Sequence, residues 1–165
     1  MKPQQEKPTT FDRFAGDYPA LLHDPIREKF ATTNRFFFER KVQVIRRFFR
    51  RIGIESQELD WLDVGCGQGE ALRLVKPGGI FCVIEHNPWN PATRIIVSRS
   101  PIDADANLLS SRETRRLLSA GGAEVLGAKY FLLFPETIHR YVSAIEDSLE
   151  ALPIGGQYSV FAKKK

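Results

Sequence analysis

A glycine-rich segment that follows an apolar run constrains this 165-residue chain more than any other feature. The segment runs from Asp63 to Gly69 with glycine at every second position from 65, and residues 60–64 have the pattern of a buried strand. Alternate glycines permit a tight turn and a close approach of the backbone to a ligand. The N–H groups of a helix that follows then point at that ligand. The segment therefore predicts a ligand-binding turn between a strand and a short helix over 69–75.

The rest of the chain alternates between strand and helix patterns. We predict helices over 34–52, 91–98, 111–120 and 136–150 and strands over 60–64, 80–85, 124–134 and 157–162. Because strands that alternate with helices favour a parallel sheet with helices on both faces, the expected fold class is α/β with a mainly parallel sheet of about four strands. The length predicts one domain, with residues 1–33 as an N-terminal arm and lid and residues 34–165 as the core.

The predicted helix over 34–52 is amphipathic and strongly basic. Its apolar stripe follows helical spacing and consists of Phe38, Val42, Ile45, Phe49 and Ile52. We expect this stripe to be buried and the arginines to occupy the opposite side. Asn34 is the expected N-cap and Gly53 the expected stop signal.

Positive charge is concentrated in two places. The chain has a net charge of +4, while residues 39–51 alone carry +5 and the tail 163–165 carries +3, which leaves −4 for the remainder. Because nucleic-acid binding needs basic groups along a groove, we expect no nucleic-acid partner. The basic helix is interpreted as a solvated face, with a membrane-surface role as the alternative.

The sequence also limits compartment and metal chemistry. No run of 18 apolar residues occurs, so no stable membrane insertion is expected. The first eight residues have no apolar signal-peptide core. Cys66 and Cys82 lack metal-ligand spacing, so free thiols in the cytoplasm and no metal site are predicted.

The glycine spacing points to one class of nucleotide-binding protein. Glu70 stands where the dinucleotide fingerprint needs Gly or Ala. With Asp63 two residues before the first glycine, the loop resembles that of the class I S-adenosylmethionine-dependent methyltransferases, especially the small-molecule type. Residues 11–18 look like that family's N-terminal lid segment. Residues 76–81 look like its turn into the fifth strand, and residues 85–91 with the following helices resemble its C-terminal part.

The resemblance implies a Rossmann-like fold and methyl transfer from S-adenosylmethionine to a small-molecule acceptor. The residues it assigns to cofactor binding are Tyr18, Asp63, Gly65, Cys66, Gly67 and Gly69. Asp63 either caps the following helix or binds the ammonium of the cofactor, and Cys66 is a small filler in the loop. His86 is the candidate catalytic residue, either as a general base or as an acceptor contact, with a hydrogen-bonded loop histidine as the alternative.

The chain departs from the family in its middle. The Lys-Pro-Gly-Gly turn starts seven residues after Gly69, where the family has three more strands and helices that take about 65–70 residues. We therefore expect strand 80–85 to pair in parallel with strand 60–64. Glu85, 20 residues after Gly65, would then substitute for the missing ribose-binding acid, although family alignment puts it on a different strand.

The shortened middle leaves two questions open. One face of the sheet needs cover from C-terminal helices or a second chain, so self-association as a homo-oligomer stays open. The alternative function is a non-catalytic, degenerate methyltransferase-like domain that acts as a binding module.

Overall fold

The computed structural model describes residues 23–55, 75–101, 103 and 106–165. Within these ranges the helices are α1 (Pro25–Phe30), α2 (Asn34–Arg51), α3 (Pro91–Arg99), α4 (Ser111–Ala120) and α5 (Glu136–Ser148). The strands are β1 (Ile80–His86), β2 (Ala123–Phe131) and β3 (Gln157–Lys164). The bounds of α2 to α5 and of the three strands lie within three residues of the predicted ones, whereas α1 lies in the segment expected to be an N-terminal arm and lid. The predicted strand 60–64 and helix 69–75 fall outside the described residues.

The three strands form one antiparallel sheet in the order β1-β3-β2. Ile80 is opposite Lys163 in the first pair, and Ala123 is opposite Lys164 in the second. The prediction of a mainly parallel, Rossmann-like sheet is therefore wrong. β1 and β2 run in the same direction, but β3 lies between them in the opposite direction and forms both sets of backbone hydrogen bonds.

The path of the chain after β2 explains this direction. α5 does not carry the chain to the other end of the sheet, because the N–H of Gly156 donates to the carbonyl of Leu132 at 3.1 Å, beside the end of β2. A strand that starts where its neighbour ends must run antiparallel to it. Gly155 makes the return possible, since a Cβ there would lie 2.3 Å from the carbonyl oxygen of Phe131.

The predicted parallel pairing of β1 with residues 60–64 lies outside the described residues. What the structure shows is that β1 pairs with β3 over its whole length, from Ile80 to His86. The turn into β1 is as expected: Gly79 N–H donates to the Lys76 carbonyl at 2.9 Å, and Gly78 has a φ of 81°, a conformation that favours glycine.

Helices cover both faces of the sheet, as the sequence predicted. On one face α2 packs against Phe131 and Phe161, and the rings of Phe48 and Phe161 stack with centroids 3.7 Å apart. On the other face Leu118 of α4 packs against a cluster that contains Tyr158, Val160 and Ala162. The core therefore consists of two apolar layers separated by β3.

α2 presents a different face to the core than predicted. Phe38 and Val42 are 63% and 45% exposed, so the expected stripe is wrong for these residues and for the exposed Ile52. The buried residues of the helix are Phe36, Arg40, Val44, Phe48 and Phe49. The helix is rotated because Arg40 has a buried acidic partner on α5, which turns its side chain inward.

The helix ends follow ordinary capping chemistry. Thr33 occupies the N-cap position of α2 and the Asn34 side chain instead accepts a hydrogen bond from Arg27, so that predicted cap is wrong. Gly53 does end the helix, with a φ of 74°. α4 begins with a capping box in which Ser110 and Glu113 satisfy each other's backbone N–H groups.

Candidate functional site

Two of the predicted site residues, Glu85 and His86, lie within the described ranges, at the carboxyl end of β1. Successive side chains of a strand point to opposite faces of the sheet. His86 shares its face with Ile84, which packs against the α2 layer, whereas Glu85 lies on the α4 face opposite Tyr158. The structure therefore places these residues next to each other in sequence but on different sides of the sheet, and a single small ligand reaches both only around the strand end.

His86 has the electrostatics of a neutral imidazole. Burial lowers its pKa below the ordinary value, and the positive charges of Lys41 and Arg27 lower it further, while Asp103 acts in the opposite direction. At pH 7 such a side chain carries no charge, and one ring nitrogen can accept a proton or a hydrogen bond. The chemistry available at this end of β1 is thus that of a weak base.

Glu85 lies beside a polar cluster that the sequence analysis did not identify. The Tyr158 hydroxyl donates to the Leu109 carbonyl at 2.8 Å and lies 2.7 Å from the hydroxyl of Thr114. Burial, opposed by Thr114 and assisted by the charge of Glu85, raises the pKa of Tyr158 to about 12. A tyrosine that is fully buried and hydrogen-bonded in this way docks α4 onto the sheet. No pattern in the sequence indicated this cluster, because Tyr158 faces Glu85 only through the register of β1 with β3.

The loop after His86 is held rigidly by side-chain amides. Asn87 is buried, and its Nδ2 donates to the carbonyls of Pro153 and Gly155 at 2.9 and 2.8 Å. Asn90 Nδ2 donates to the Ile154 carbonyl at 2.9 Å. These bonds fix the direction in which the chain leaves β1. Trp89, in the same loop, is exposed.

A buried ion pair between α2 and α5 is a second polar centre. Arg40 Nη2 donates to Glu146 Oε1 at 2.6 Å, and the side chains are 2% and 1% exposed. The same carboxylate oxygen accepts the N–H of Leu132 at 3.1 Å. Leu132 has a φ of 62°, a left-handed conformation that is rare for leucine, so this bond holds a strained residue at the end of β2.

His139 lies beside this ion pair, with Nε2 3.9 Å from Glu146 Oε2. Burial and the positive charge of Arg40 lower the pKa of His139, while Glu146 and Asp147 oppose them. The uncharged ring packs edge-on against Phe36. Spacing along the sequence gave no sign of this cluster, since Arg40 and Glu146 are 106 residues apart.

Two cavities in the described part of the chain lie away from β1. One of about 440 Å³ lies between α2 and α5, with Phe36, Gln43, Thr137 and His139 in its wall. Another of about 540 Å³ is an open depression on α2 around Phe38. Neither His86 nor Glu85 lines these cavities. Cys82 lies on the α2 face of β1, where burial raises the pKa of its thiol to about 12 and so disfavours the reactive thiolate.

Several predicted properties concern residues beyond those described. Tyr18, Asp63, Gly65, Cys66, Gly67 and Gly69 all lie outside the described residues. Among those described, no three His, Cys, Asp or Glu side chains are grouped as metal ligands would be. No helix in the described ranges is long and apolar enough to cross a membrane.

No family model matches this chain, and no curated protein matches it.

Proposed function

We propose that this chain binds S-adenosylmethionine through the Asp63–Gly69 loop and transfers its methyl group to a small-molecule acceptor. The observation that best supports this proposal is the neutral, half-buried His86 at the carboxyl end of β1. A base at this position suits an acceptor that loses a proton from oxygen or nitrogen as the methyl group arrives. The resemblance of the loop sequence to that of methyltransferases is the second support for the proposal.

The residues of the chain take distinct roles in this proposal. When bound, the sulfonium of the cofactor supplies an electrophilic methyl group. The loop glycines leave room for the cofactor, Asp63 binds its ammonium, and Tyr18 covers it. Glu85 is half-buried at a strand end, a position that fits an acceptor of ribose hydroxyl hydrogen bonds. The chain mainly contributes alignment, and His86 removes the acceptor proton.

One observation favours a second function, that of a non-catalytic binding module. Glu85 and His86 lie on opposite faces of the sheet, whereas a catalytic site needs its groups around one ligand. In that alternative the loop is a structural turn, and partner binding occurs at an exposed surface. The two functions differ in whether the folded chain binds the cofactor.

Calorimetric titration with S-adenosylmethionine and with S-adenosylhomocysteine tests the proposal. Gly67→Ala is expected to abolish binding, because its Cβ would enter the path of the ligand. Gly127→Ala is the matched control, since Gly127 in β2 has nothing within 4 Å of an added Cβ. We expect binding by the wild type and the control and none by Gly67→Ala. No binding by the folded wild type would support the binding module instead, and equal binding by all three proteins would remove the loop from the site.

A second pair of variants tests the base. His86→Gln is expected to keep cofactor binding and to lose methyl transfer to a phenolic or amine acceptor. The loss in transfer rate should be largest at the lowest pH at which the wild type is active. His23→Gln is the control, because His23 is exposed, and its Nδ1 lies 2.7 Å from Glu28 Oε1 on α1. Unchanged transfer by His86→Gln would leave this residue as a loop histidine. We place the reaction in the cytoplasm, consistent with the free thiol of Cys82.

A further inference from the structure

Gln157 is the residue of β3 that lies directly opposite His86 of β1. Residues opposite one another in an antiparallel pair point to the same face of the sheet, with Cβ atoms about 4.5–5.5 Å apart. His86 lies on the α2 face, and so does Gln157, whose partner on the other side, Phe131, belongs to the apolar layer there. The side chains of His86 and Gln157 are therefore neighbours at the edge of that layer.

The amide oxygen of Gln157 lacks the partner that a buried acceptor needs. Oε1 of Gln157 is buried and has no hydrogen-bond partner within the described part of the chain. Buried polar atoms are nearly always hydrogen-bonded, because an unsatisfied one destabilises the fold. An apolar side chain of similar size would fill the same space without this cost. An unused acceptor next to a candidate base therefore points to a function in the chemistry of that base.

His86 needs such an acceptor in one of its two protonation states. The neutral ring has one N–H group, and the charged ring has two. When His86 takes up a proton, a positive charge appears on a half-buried ring and must be stabilised there. The cations Arg27 on α1 and Lys41 on α2 oppose that charge, whereas the carboxylate of Asp103 favours it. Asp103 acts through its charge, with no hydrogen bond to the ring among the causes of the pKa shift.

We propose that Gln157 is the positioning residue of His86, and that its amide oxygen accepts a ring N–H of His86 when the ring takes up the proton of the methyl acceptor. Hydrogen bonds of catalytic groups are often open in the free protein and tighten as the reaction proceeds. The bond would hold the other ring nitrogen toward the acceptor. The proton passes from the acceptor to His86 and then to water, and Gln157 neither gains nor loses one. This inference rests on the proposed function for the source of the proton, but contact between the two side chains is a property of the folded chain.

NMR titration of the His86 imidazole in the full chain, without cofactor, tests this contact. Gln157→Leu should lower the pKa of His86 by about 0.5–1, because the charged ring loses its acceptor. Gln157→Glu should raise the pKa by about 1–2, because a carboxylate then faces the ring. Ser159→Ala is the matched control: Ser159 lies two residues along β3 on the same face, but its hydroxyl donates to the Lys129 carbonyl at 3.3 Å. The control should leave the pKa of His86 as in the wild type.

Two outcomes would overturn the inference. A pKa of His86 that changes by less than about 0.2 in both Gln157 variants would show that the amide does not serve the ring. A pKa that falls in Asp103→Asn but not in Gln157→Leu would assign the charged ring to Asp103 instead. Should Gln157→Leu fail to fold, Gln157→Asn provides the same test, because it shortens the side chain by one methylene and draws the amide away from the ring. The same fall in pKa is then expected.

The pH profile of methyl transfer separates a positioning effect from a merely structural one. In Gln157→Leu the acid limb should move to lower pH by the amount found in the titration, and kcat should fall about three- to tenfold with KM for the acceptor unchanged. Because the titration needs neither cofactor nor acceptor, its result stands apart from the proposed function. A chain that shows the expected pKa changes but binds no S-adenosylmethionine contradicts the proposed function alone. A chain that methylates with a pKa of His86 insensitive to Gln157 contradicts this inference alone.

Discussion

The two sides of α2 carry the same residue types and use them in opposite ways. On the side that faces α5, Arg40, Arg47 and Arg51 bind Glu146, Asp147 and Glu150. On the solvent side, Arg46 and Arg50 are exposed and form no ion pair within the described part of the chain. Phenylalanine divides in the same way, with Phe48 in the core and Phe38 in solvent. The position of the neighbouring elements, more than residue type, decides which side of this helix contributes to stability.

The sharpest test of this difference compares the two phenylalanines. Phe48→Ala removes a ring stacked on Phe161 and should lower the free energy of unfolding by about 3–5 kcal/mol. Phe38→Ala, at a side chain 63% exposed, should change it by less than about 0.5 kcal/mol. Urea unfolding of both variants measures the difference. Similar losses would mean that Phe38 is packed in solution and that α2 is rotated from the orientation described.

The buried ion pair gives the next largest effect. Glu146→Ala leaves Arg40 without its buried partner and should lower the free energy of unfolding by about 3 kcal/mol. The double variant Arg40→Met, Glu146→Leu should recover most of that loss, because two apolar side chains can fill the space of a buried pair. Recovery should be incomplete, since the N–H of Leu132 loses its acceptor in both proteins. A double variant as unstable as the single one would show that the pair acts through more than its own charges.

Surface arginines offer a matched comparison with a smaller effect. Arg47→Gln with Arg51→Gln removes partly buried contacts to Asp147 and Glu150 and should cost about 1–2 kcal/mol. Arg46→Gln with Arg50→Gln, on the solvent side, should cost less than about 0.5 kcal/mol. Raising the salt concentration should reduce the difference in unfolding free energy between the two double variants, because salt screens the ion pairs. Equal losses in urea unfolding would contradict the assignment of the two sides.

The pH dependence of stability should show the smallest effect. Burial lowers the pKa of His139 in the folded chain, so the unfolded chain, with a pKa of about 6.5, binds the proton more readily. The contribution of this neutral histidine is complete above about pH 6.5 and decreases as the pH falls towards the folded-state pKa. His139→Asn should therefore lose less stability than the wild type between about pH 6.5 and 5. His23→Asn, at an exposed site, serves as the control in parallel unfolding curves.

Glu150 stabilises the folded chain in its charged form, whereas His139 does so in its neutral form, and Glu150 loses its contribution at a more acidic pH. Burial alone would raise its pKa, but hydrogen bonds from Lys129 and Arg51 outweigh that effect and lower it. Its contribution is present above the ordinary pKa of a glutamate, about 4.3, and is lost as the pH falls through the folded-state value. Part of the acid destabilisation below about pH 4.3 should thus disappear in Glu150→Gln, which separates this effect from that of His139.

The candidate site was predictable only in part. The residues at the end of β1 could be named from the sequence, because an apolar run after a Lys-Pro-Gly-Gly turn marks a strand and its end. That Glu85 and His86 lie on opposite faces follows from strand geometry once the strand bounds are known. The hydrogen bonds from Asn87 to the carbonyls of Pro153 and Gly155 could not be predicted, because they depend on the position of a turn that is distant in the sequence.

By itself, the sequence determined the identity and the approximate bounds of α2 to α5 and of the three described strands. Periodicity, capping residues and Gly53 act over a few neighbouring residues, so their effects can be read locally. Tertiary structure decided the direction of β3 and the rotation of α2. β3 is antiparallel because Gly155 lets the chain return beside Phe131. α2 turns Arg40 inward because Glu146, 106 residues away, lies there to receive it. Both results depend on contacts between segments far apart in the chain, and no local pattern records which segments will meet.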